Sequence, residues 1–274
     1  MKSKKDGITH IIFDVDGTLY DKKREYVPGK GSIEDAHEFF RYNTFSKASE
    51  DRIFNQKELI NKIIEEYQQK ARESTLIKAI ESYPSDLKMK YKNLVKKHGS
   101  NGKVFVNEFG TDSSFFAKIV GQVDFEEILT KDIELQNMVQ TLKQKGYNLG
   151  ILTTEIYDTV KKVSNIMGIP LEDFELETGT PHPILCAENV KEKKPSPEGF
   201  NKILKIIQPN SPENIIYVGD HFKKDIEASL NCGLNAIHVT NDRTGNISLE
   251  SCQTEHGQRK FIKVDKIYQL TDIL

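Results

Sequence analysis

Cysteine is scarce in this chain: Cys186, Cys232 and Cys252 are few, odd in number and far apart. They cannot supply the paired spacing of a zinc site or a redox dithiol, and they read as reduced thiols of a cytosolic protein. A surplus of one charge is also missing. The formal net charge is −2, with acidic and basic residues interleaved, so nucleic-acid or membrane binding has no global electrostatic support. Long apolar runs are absent as well, and no segment approaches the roughly 20 apolar residues that span a bilayer. Met1 to Lys5 are basic, but the short apolar stretch after them carries His10 and runs into Asp14, so no signal peptide is expected. These absences leave a soluble globular chain of 274 residues, long enough for one large domain or for a core with an insertion.

The most informative stretch that is present is Asp14-Val15-Asp16-Gly17-Thr18-Leu19, directly after Ile11, Ile12 and Phe13. It reads as a strand ending in two carboxylates. Residues i and i+2 of an extended segment project to the same side, so Asp14 and Asp16 can face one reacting centre. Gly17 lets the backbone turn away tightly, and Thr18 supplies a hydroxyl at the turn. The competing reading is a strand followed by an ordinary Asp-Gly turn.

From Asp132 onward, helical and extended patterns alternate. Asp132 is a helix cap, Leu135, Met138, Val139 and Leu142 recur at helical spacing, and Gly146 closes the helix. Tyr147 to Thr153 reads as a strand, and Ile156, Val160, Val163 and Met167 as a helix stopped by Gly168 and Pro170. Pro197 opens a helix carrying Phe200, Ile203, Leu204 and Ile207, Ile215 to Val218 is a buried-type strand, Phe222 to Cys232 is helical, and Ala236 to Val239 is extended. Strands separated by helices of this length imply an α/β, doubly wound, Rossmann-like parallel sheet with helices on both faces.

Residues 21–131 break that rhythm. Ile60, Ile63, Ile64, Tyr67 and Ala71 form one helical stripe, and Leu87, Tyr91, Leu94, Val95 and His98 another. Ser32 with Asp35 caps a helix carrying Ala36, Phe39 and Phe40, while Gly99 to Gly102 reads as a loop. The chain is thus expected to comprise a core of residues 1–20 and 132–274 and a mostly helical inserted domain of residues 21–131. The basic run Lys88, Lys90, Lys92, Lys96 and Lys97 reads as a solvated helix face rather than a phosphate or nucleic-acid patch, since the apolar stripe threads between the lysines. Phe39, Phe40, Phe115 and Phe116 read as core rather than a base-stacking surface. His182, between two prolines, carries no assignment.

Three further segments bear chemistry. Thr153 and Thr154 stand at the carboxyl end of a strand, where doubly wound sheets bind ligands, and a hydroxyl and free backbone N–H there can donate to a phosphoryl oxygen. In Lys193-Lys194-Pro195, the proline keeps its predecessor extended, presenting the Lys194 ammonium as a fixed charge; Lys193 is the alternative. Gly219-Asp220-His221-Phe222-Lys223-Lys224-Asp225 follows another apolar strand, and its carboxylates can hold a hard divalent cation, although Asp225 also suits a first helical turn.

In this order, the four segments closely resemble the pattern of the haloacid dehalogenase superfamily. The resemblance covers about Ile8 to Asp16 and Asp132 to Val239, and the insert lies where that family carries its helical C1-type cap. It implies Asp14 as nucleophile, Asp16 as general acid/base, and Thr153, Thr154 and Lys194 as phosphoryl ligands. It further implies Mg2+ held by Asp14, Asp220 and the carbonyl of Asp16, with Gly17, Thr18 and Gly219 in support and Asp225 orienting Lys194 or supporting the metal. Members that dehalogenate or pump ions generally lack an acid at the place of Asp16, so its presence points to phosphate esters. The expected function is a cytoplasmic, magnesium-dependent phosphatase of a small phosphate monoester such as a nucleotide or sugar phosphate, monomeric or homodimeric. A phosphomutase and a non-catalytic binding or regulatory protein are the alternatives. The insert loosely resembles the pyrimidine 5′-nucleotidase branch, but His221 stands where that branch often has a second Asp.

Overall fold

The computed structural model describes residues 7–274 except 27, 30, 52, 175 and 177–183. His182 and the basic stretch Met1 to Lys5 lie outside the described residues. The chain forms two compact units, one made of the chain up to Asp21 with Lys131–Leu274, the other of Lys22–Thr130.

The first unit is built on β1 (His10–Phe13), whose Ile11, Ile12 and Phe13 are fully buried. Burying each such side chain contributes roughly 1.5–3 kcal/mol. The second unit then intervenes as α1 (Ile33–Glu50), α2 (Gln56–Arg72), α3 (Leu76–Ser82), α4 (Ser85–His98), α5 (Asn101–Phe109), α6 (Phe115–Val120) and α7 (Phe125–Ile128). The core resumes with α8 (Ile133–Gln144), β2 (Asn148–Ile151), α9 (Tyr157–Met167), α10 (Glu198–Ile207) and β3 (Ile215–Gly219). A π-helical turn over Phe222–Glu227 leads into α11 (Ala228–Asn231), followed by β4 (Asn235–Val239), β5 (Ile247–Thr254), β6 (Gly257–Val264) and α12 (Leu270–Ile273).

Among the described residues the strands form one sheet in the order β2-β1-β3-β4-β6-β5. Every neighbouring pair is parallel except β5 with β6. Both faces of β1 and β3 are buried, as a parallel sheet flanked by helices requires. On one face Ile12, Ile215 and Tyr217 pack with Phe200 and Ile203 of α10. The hairpin of β5 and β6 was not anticipated from sequence; it places an antiparallel strand at the sheet edge.

Local signals explain most element ends. Asp132 accepts from the Leu135 N–H at the start of α8, and Gly168 takes the left-handed conformation that ends α9. Pro197 lies one residue earlier than expected, as the cap of α10 rather than within it. The expected helix from Phe222 begins as the π turn, a form that recurs at functional sites.

The second unit wraps around α1. Ser32 and Asp35 cap that helix reciprocally, and Ile33, Ala36, Phe39, Phe40, Tyr42, Phe45 and Ala48 are all buried, so α1 is apolar on most sides and central. Phe39, Phe40, Phe115 and Phe116 belong to this unit's core; the Phe40 and Tyr67 rings stand 4.7 Å apart, and those of Phe105 and Phe116 5.0 Å. Lys88 and Lys90 lie over the Tyr42 and Phe45 rings, and Lys97 pairs with Glu108. The loop expected over Gly99 to Gly102 is only Gly99 and Ser100. Gly99 ends α4 with φ +85°, and the Ser100 hydroxyl accepts from Lys103 N–H, which draws Asn101 and Gly102 into α5. No helix among the described residues is long and apolar enough to cross a membrane.

Candidate active site

Strand register brings the chemical groups together. Phe13 of β1 is level with Ile151 of β2 on one side and Val218 of β3 on the other. Asp14, Thr153 and Asp220 therefore leave three adjacent strands at their carboxyl ends. The chain departs from β1 to β2 on one side and to β3 on the other, so the switch point of this doubly wound sheet lies where Asp14 and Asp220 emerge.

Asp14 is buried, and its Oδ1 lies 3.0 Å from the Lys194 Nζ. The same ammonium donates to Asp225 Oδ1 at 2.6 Å and to the Tyr217 hydroxyl at 2.6 Å. Tyr217 sends its own proton to the Leu152 carbonyl at 2.8 Å, so it faces Lys194 purely as an acceptor. All three ammonium protons are thus engaged. Lys193 is exposed, and the structure places Lys194 in the cluster instead. The peptide joining Lys194 to Pro195 is cis.

Carboxylates outnumber cations here. Asp14, Asp220 and Asp225 each offer an oxygen within 4.8 Å of the others. Burial pushes the Asp14 carboxyl up to about 7; Lys194 opposes this, while Asp225 and Asp220 add to it. Lys194 is held above its ordinary range: burial alone would lower it, but the Asp14 and Asp225 charges prevail. The set is chemically suited to a hard divalent cation, which prefers oxygen ligands. Asp225 accepts from Lys194 on Oδ1 and from the His221 N–H on Oδ2 at 2.9 Å, so it serves the lysine and the turn.

The two motif glycines are seats for carboxylates. A Cβ on Gly17 would meet the Asp220 Cγ at 2.6 Å, and one on Gly219 would meet the Asp225 Cγ at 2.6 Å. Gly17 also takes φ +82°, as its turn role requires. Asp16, two residues beyond Asp14, is only half-buried and has a different partner, the Tyr20 hydroxyl at 3.0 Å.

Two expectations need correction. The Thr153 N–H is not free, because it donates to the Leu185 carbonyl at 2.9 Å. Its hydroxyl accepts from the Glu155 N–H, while the Thr154 N–H meets no acceptor among the described residues. The Thr18 hydroxyl does not serve the turn: it is buried with no hydrogen-bond partner, and the Thr18 N–H to Val15 carbonyl bond closes the turn instead. Sequence reasoning missed Tyr20 and Tyr217, whose aromatic bodies read as core. It also missed His238, whose Nε2 donates to the Asp220 carbonyl at 3.0 Å, and Asn241, whose amide donates to the Gly17 carbonyl at 2.9 Å.

A parallel α/β sheet with buried carboxylates and one lysine at its switch point defines an enzyme-like core built for charged chemistry. Residues 8–233 match the family of haloacid dehalogenase-like hydrolases, and the chain belongs to that family. It is similar to a pyrophosphatase PpaX of Bacillus mycoides, 28% identical over 54% of this chain and 62% of that protein. It is also similar to one of Anoxybacillus flavithermus, 34% identical over 41% of this chain and 48% of that protein. The chain therefore spans less than two thirds of these relatives' lengths. In fold it resembles a haloacid dehalogenase phosphatase from Thermococcus onnurineus, with a TM-score of 0.52 at 16% identity over 97% of each chain. CbbY from Rhodobacter sphaeroides gives a TM-score of 0.51 at 18% identity, over 85% of this chain and 86% of that one.

Proposed function

We propose that this hydrolase is a magnesium-dependent phosphatase that cleaves a small phosphate monoester through an aspartyl phosphate on Asp14. The observation that carries the reading is the environment of two carboxylates two residues apart: Asp14 is buried against Lys194, while Asp16 is half-exposed and held by Tyr20. Environments this different suit two roles. The pyrophosphatase names of two relatives support phosphorus chemistry.

Asp14 and Asp220, with the Asp16 carbonyl, would hold the cation. Bound there, Mg2+ supplies positive charge to the carboxylates and to the phosphoryl oxygens. The Lys194 ammonium favours the ionised form of Asp14 against the effect of burial, and the Thr153 hydroxyl and Thr154 N–H donate to the phosphoryl group. An Asp14 oxygen attacks phosphorus in line as the bond to the ester oxygen breaks, and the proton on Asp16 passes to the departing alkoxide. Asp16, now a carboxylate, takes a proton from water as that water attacks phosphorus. The bond to Asp14 breaks, inorganic phosphate leaves, and both residues regain their starting states. Residues 21–131 act in this reading as the family's helical cap, which selects the ester.

The test is phosphate release from nucleoside monophosphates, sugar phosphates and other esters, with and without magnesium, beside Asp14→Asn. Expected is magnesium-dependent release that Asp14→Asn abolishes without loss of fold. An Asp14→Asn protein that keeps most of the rate would sink the mechanism. Silence of the wild-type protein across the panel would favour a phosphomutase, revealed by dependence on a bisphosphorylated activator, or a non-catalytic role.

A further inference from the structure

We propose that the outer edge of β5 is a self-association surface, on which β5 of a second copy of this chain pairs antiparallel about a two-fold axis at Leu249. The surface is independent of the reaction proposed above. β5 is 8 residues long, ends the sheet, and is exposed from Ile247 to Ser251. Edge strands are ordinarily blunted by brevity, lysine, proline or a bulge. β5 has no lysine or proline, and its register against β6 runs unbroken from Ile247 to Thr254.

The direction of its backbone groups follows from β6. Val264 gives its carbonyl to the Thr240 N–H on the β4 side at 3.0 Å. Backbone groups alternate along a strand, so Val264, Ile262 and Lys260 face β4, and their opposite numbers Ile247, Leu249 and Ser251 face outward. The outward N–H and C=O groups of these three meet no partner among the described residues. Side chains of opposed residues share one face. On it the row Ile237, Ile262, Leu249 crosses from β4 to the edge, and exposure rises from 1% at Ile237 to 65% at Leu249 because β5 is the last strand.

Self-complementarity selects both the partner and the register. Outward groups meet outward groups only when the axis falls on a residue rather than between two. At Glu250 it would set two carboxylates opposite each other, and at Ser251 it would oppose Leu249 to the partner's Gln253. At Ser248 it would keep only Ile247 to Leu249 inside both strands. At Leu249 the whole exposed stretch pairs: Leu249 meets the partner's Leu249, Ile247 the partner's Ser251, and Glu250 the partner's Ser248. Glu250 keeps its own counter-charge, since the Lys263 Nζ lies 3.8 Å away. The apolar row then runs on through the partner's Leu249 and the partner's Ile262.

Sedimentation equilibrium of the full chain, up to about 0.1 mM, tests the pairing in wild type, Leu249→Lys, Ser251→Pro and Met89→Lys. Expected is a dimer for wild type and for Met89→Lys, whose site is a similarly exposed apolar position, 62% exposed, outside β5. Leu249→Lys sets like charges face to face on the axis, and Ser251→Pro deletes an outward N–H without removing apolar surface. Each should weaken association at least about tenfold with an unchanged circular dichroism spectrum. Dissociation by Leu249→Lys but not by Ser251→Pro would mean contact through apolar side chains alone and overturns the strand pairing. A wild type that stays monomeric throughout leaves the edge to some other extended segment and overturns the proposal, as does a dimer indifferent to Leu249→Lys.

Discussion

Gly17→Ala tests whether Asp220 needs the space that the glycine leaves. The added Cβ stands 2.6 Å from the Asp220 Cγ, and ordinary contact begins at 3.4 Å. An oxygen of the same carboxylate lies nearer still, so it must retreat by at least about 0.8 Å. Magnesium accepts ligands only near about 2.0–2.1 Å, so a ligand displaced that far cannot keep its place. Disturbing the support of a ligand costs about ten- to hundredfold in metal affinity, and the magnesium concentration for half-maximal activity should rise accordingly. The backbone adds a second cost, because φ at Gly17 is +82° and a residue with a Cβ is strained there by roughly 1–2 kcal/mol. That corresponds to a fall in Tm of roughly 2–8 °C for a chain of this size. Magnesium titration of phosphate release and thermal unfolding without metal separate the two effects. Unchanged half-saturation with unchanged kcat would refute the reasoning, whatever the Tm.

Lys194→Met should cost at least about 3 kcal/mol in urea unfolding, because it strips the buried Asp14 and Asp225 carboxylates of their counter-charge, whereas Lys193→Met at an exposed position should stay within about 0.5 kcal/mol. Equal effects of the two would refute the assignment, and a larger effect of Lys193→Met would reverse it. Glu198 accepts from the Glu192 and Lys191 N–H groups and pairs with Lys202, which holds its carboxyl down at about 2. A depressed folded value means this contribution is present above about 4.5 and fades as pH falls towards 2. The Tm gap between wild type and Glu198→Gln should accordingly be full at pH 6 and close towards pH 2; a gap independent of pH would exclude the clamp. Asp220→Asn should raise the Tm of the metal-free protein, by roughly 0.5–2 kcal/mol in stability, and abolish activation by magnesium. A lower Tm would show that Asp220 does not repel its neighbours.

Features written in local pattern were legible from sequence. The strand before Asp14 announces itself by an apolar run, the helix of Leu135, Met138, Val139 and Leu142 by its spacing, and the parallel sheet by alternation of the two. What escaped depends on distant pairing. Thr153 looked free to donate from its backbone because nothing nearby in sequence predicts that Leu185 bridges the end of β2. Gly17 reads as a turn residue, while its proximity to Asp220 arises only when β1 and β3 pair. Tyr217 sits in an apolar run and is a core residue in every respect except its hydroxyl, which links Leu152 to Lys194. The hairpin of β5 and β6 has a weak signal too: five successive residues of β5 are exposed, so the strand carries no clear inward face.

The charges at the strand ends do not serve the fold. A core assembled for stability would not set three carboxylates around one ammonium, since burial without balanced partners is unfavourable and already drives Asp14 up to about 7. The surrounding structure enforces the arrangement all the same. Gly17 and Gly219 make room for Asp220 and Asp225, Tyr217 takes the third proton of Lys194, and His238 and Asn241 tie down the Asp220 and Gly17 carbonyls. Each of these residues holds a charged group or its backbone in place. On the function proposed above, a cluster that costs stability and is braced from several strands at once is organised for a partner that brings positive charge and a substrate that brings negative charge. That expectation accords with membership of the haloacid dehalogenase-like hydrolases, and it is why removing a carboxylate should strengthen the metal-free fold while ending the chemistry.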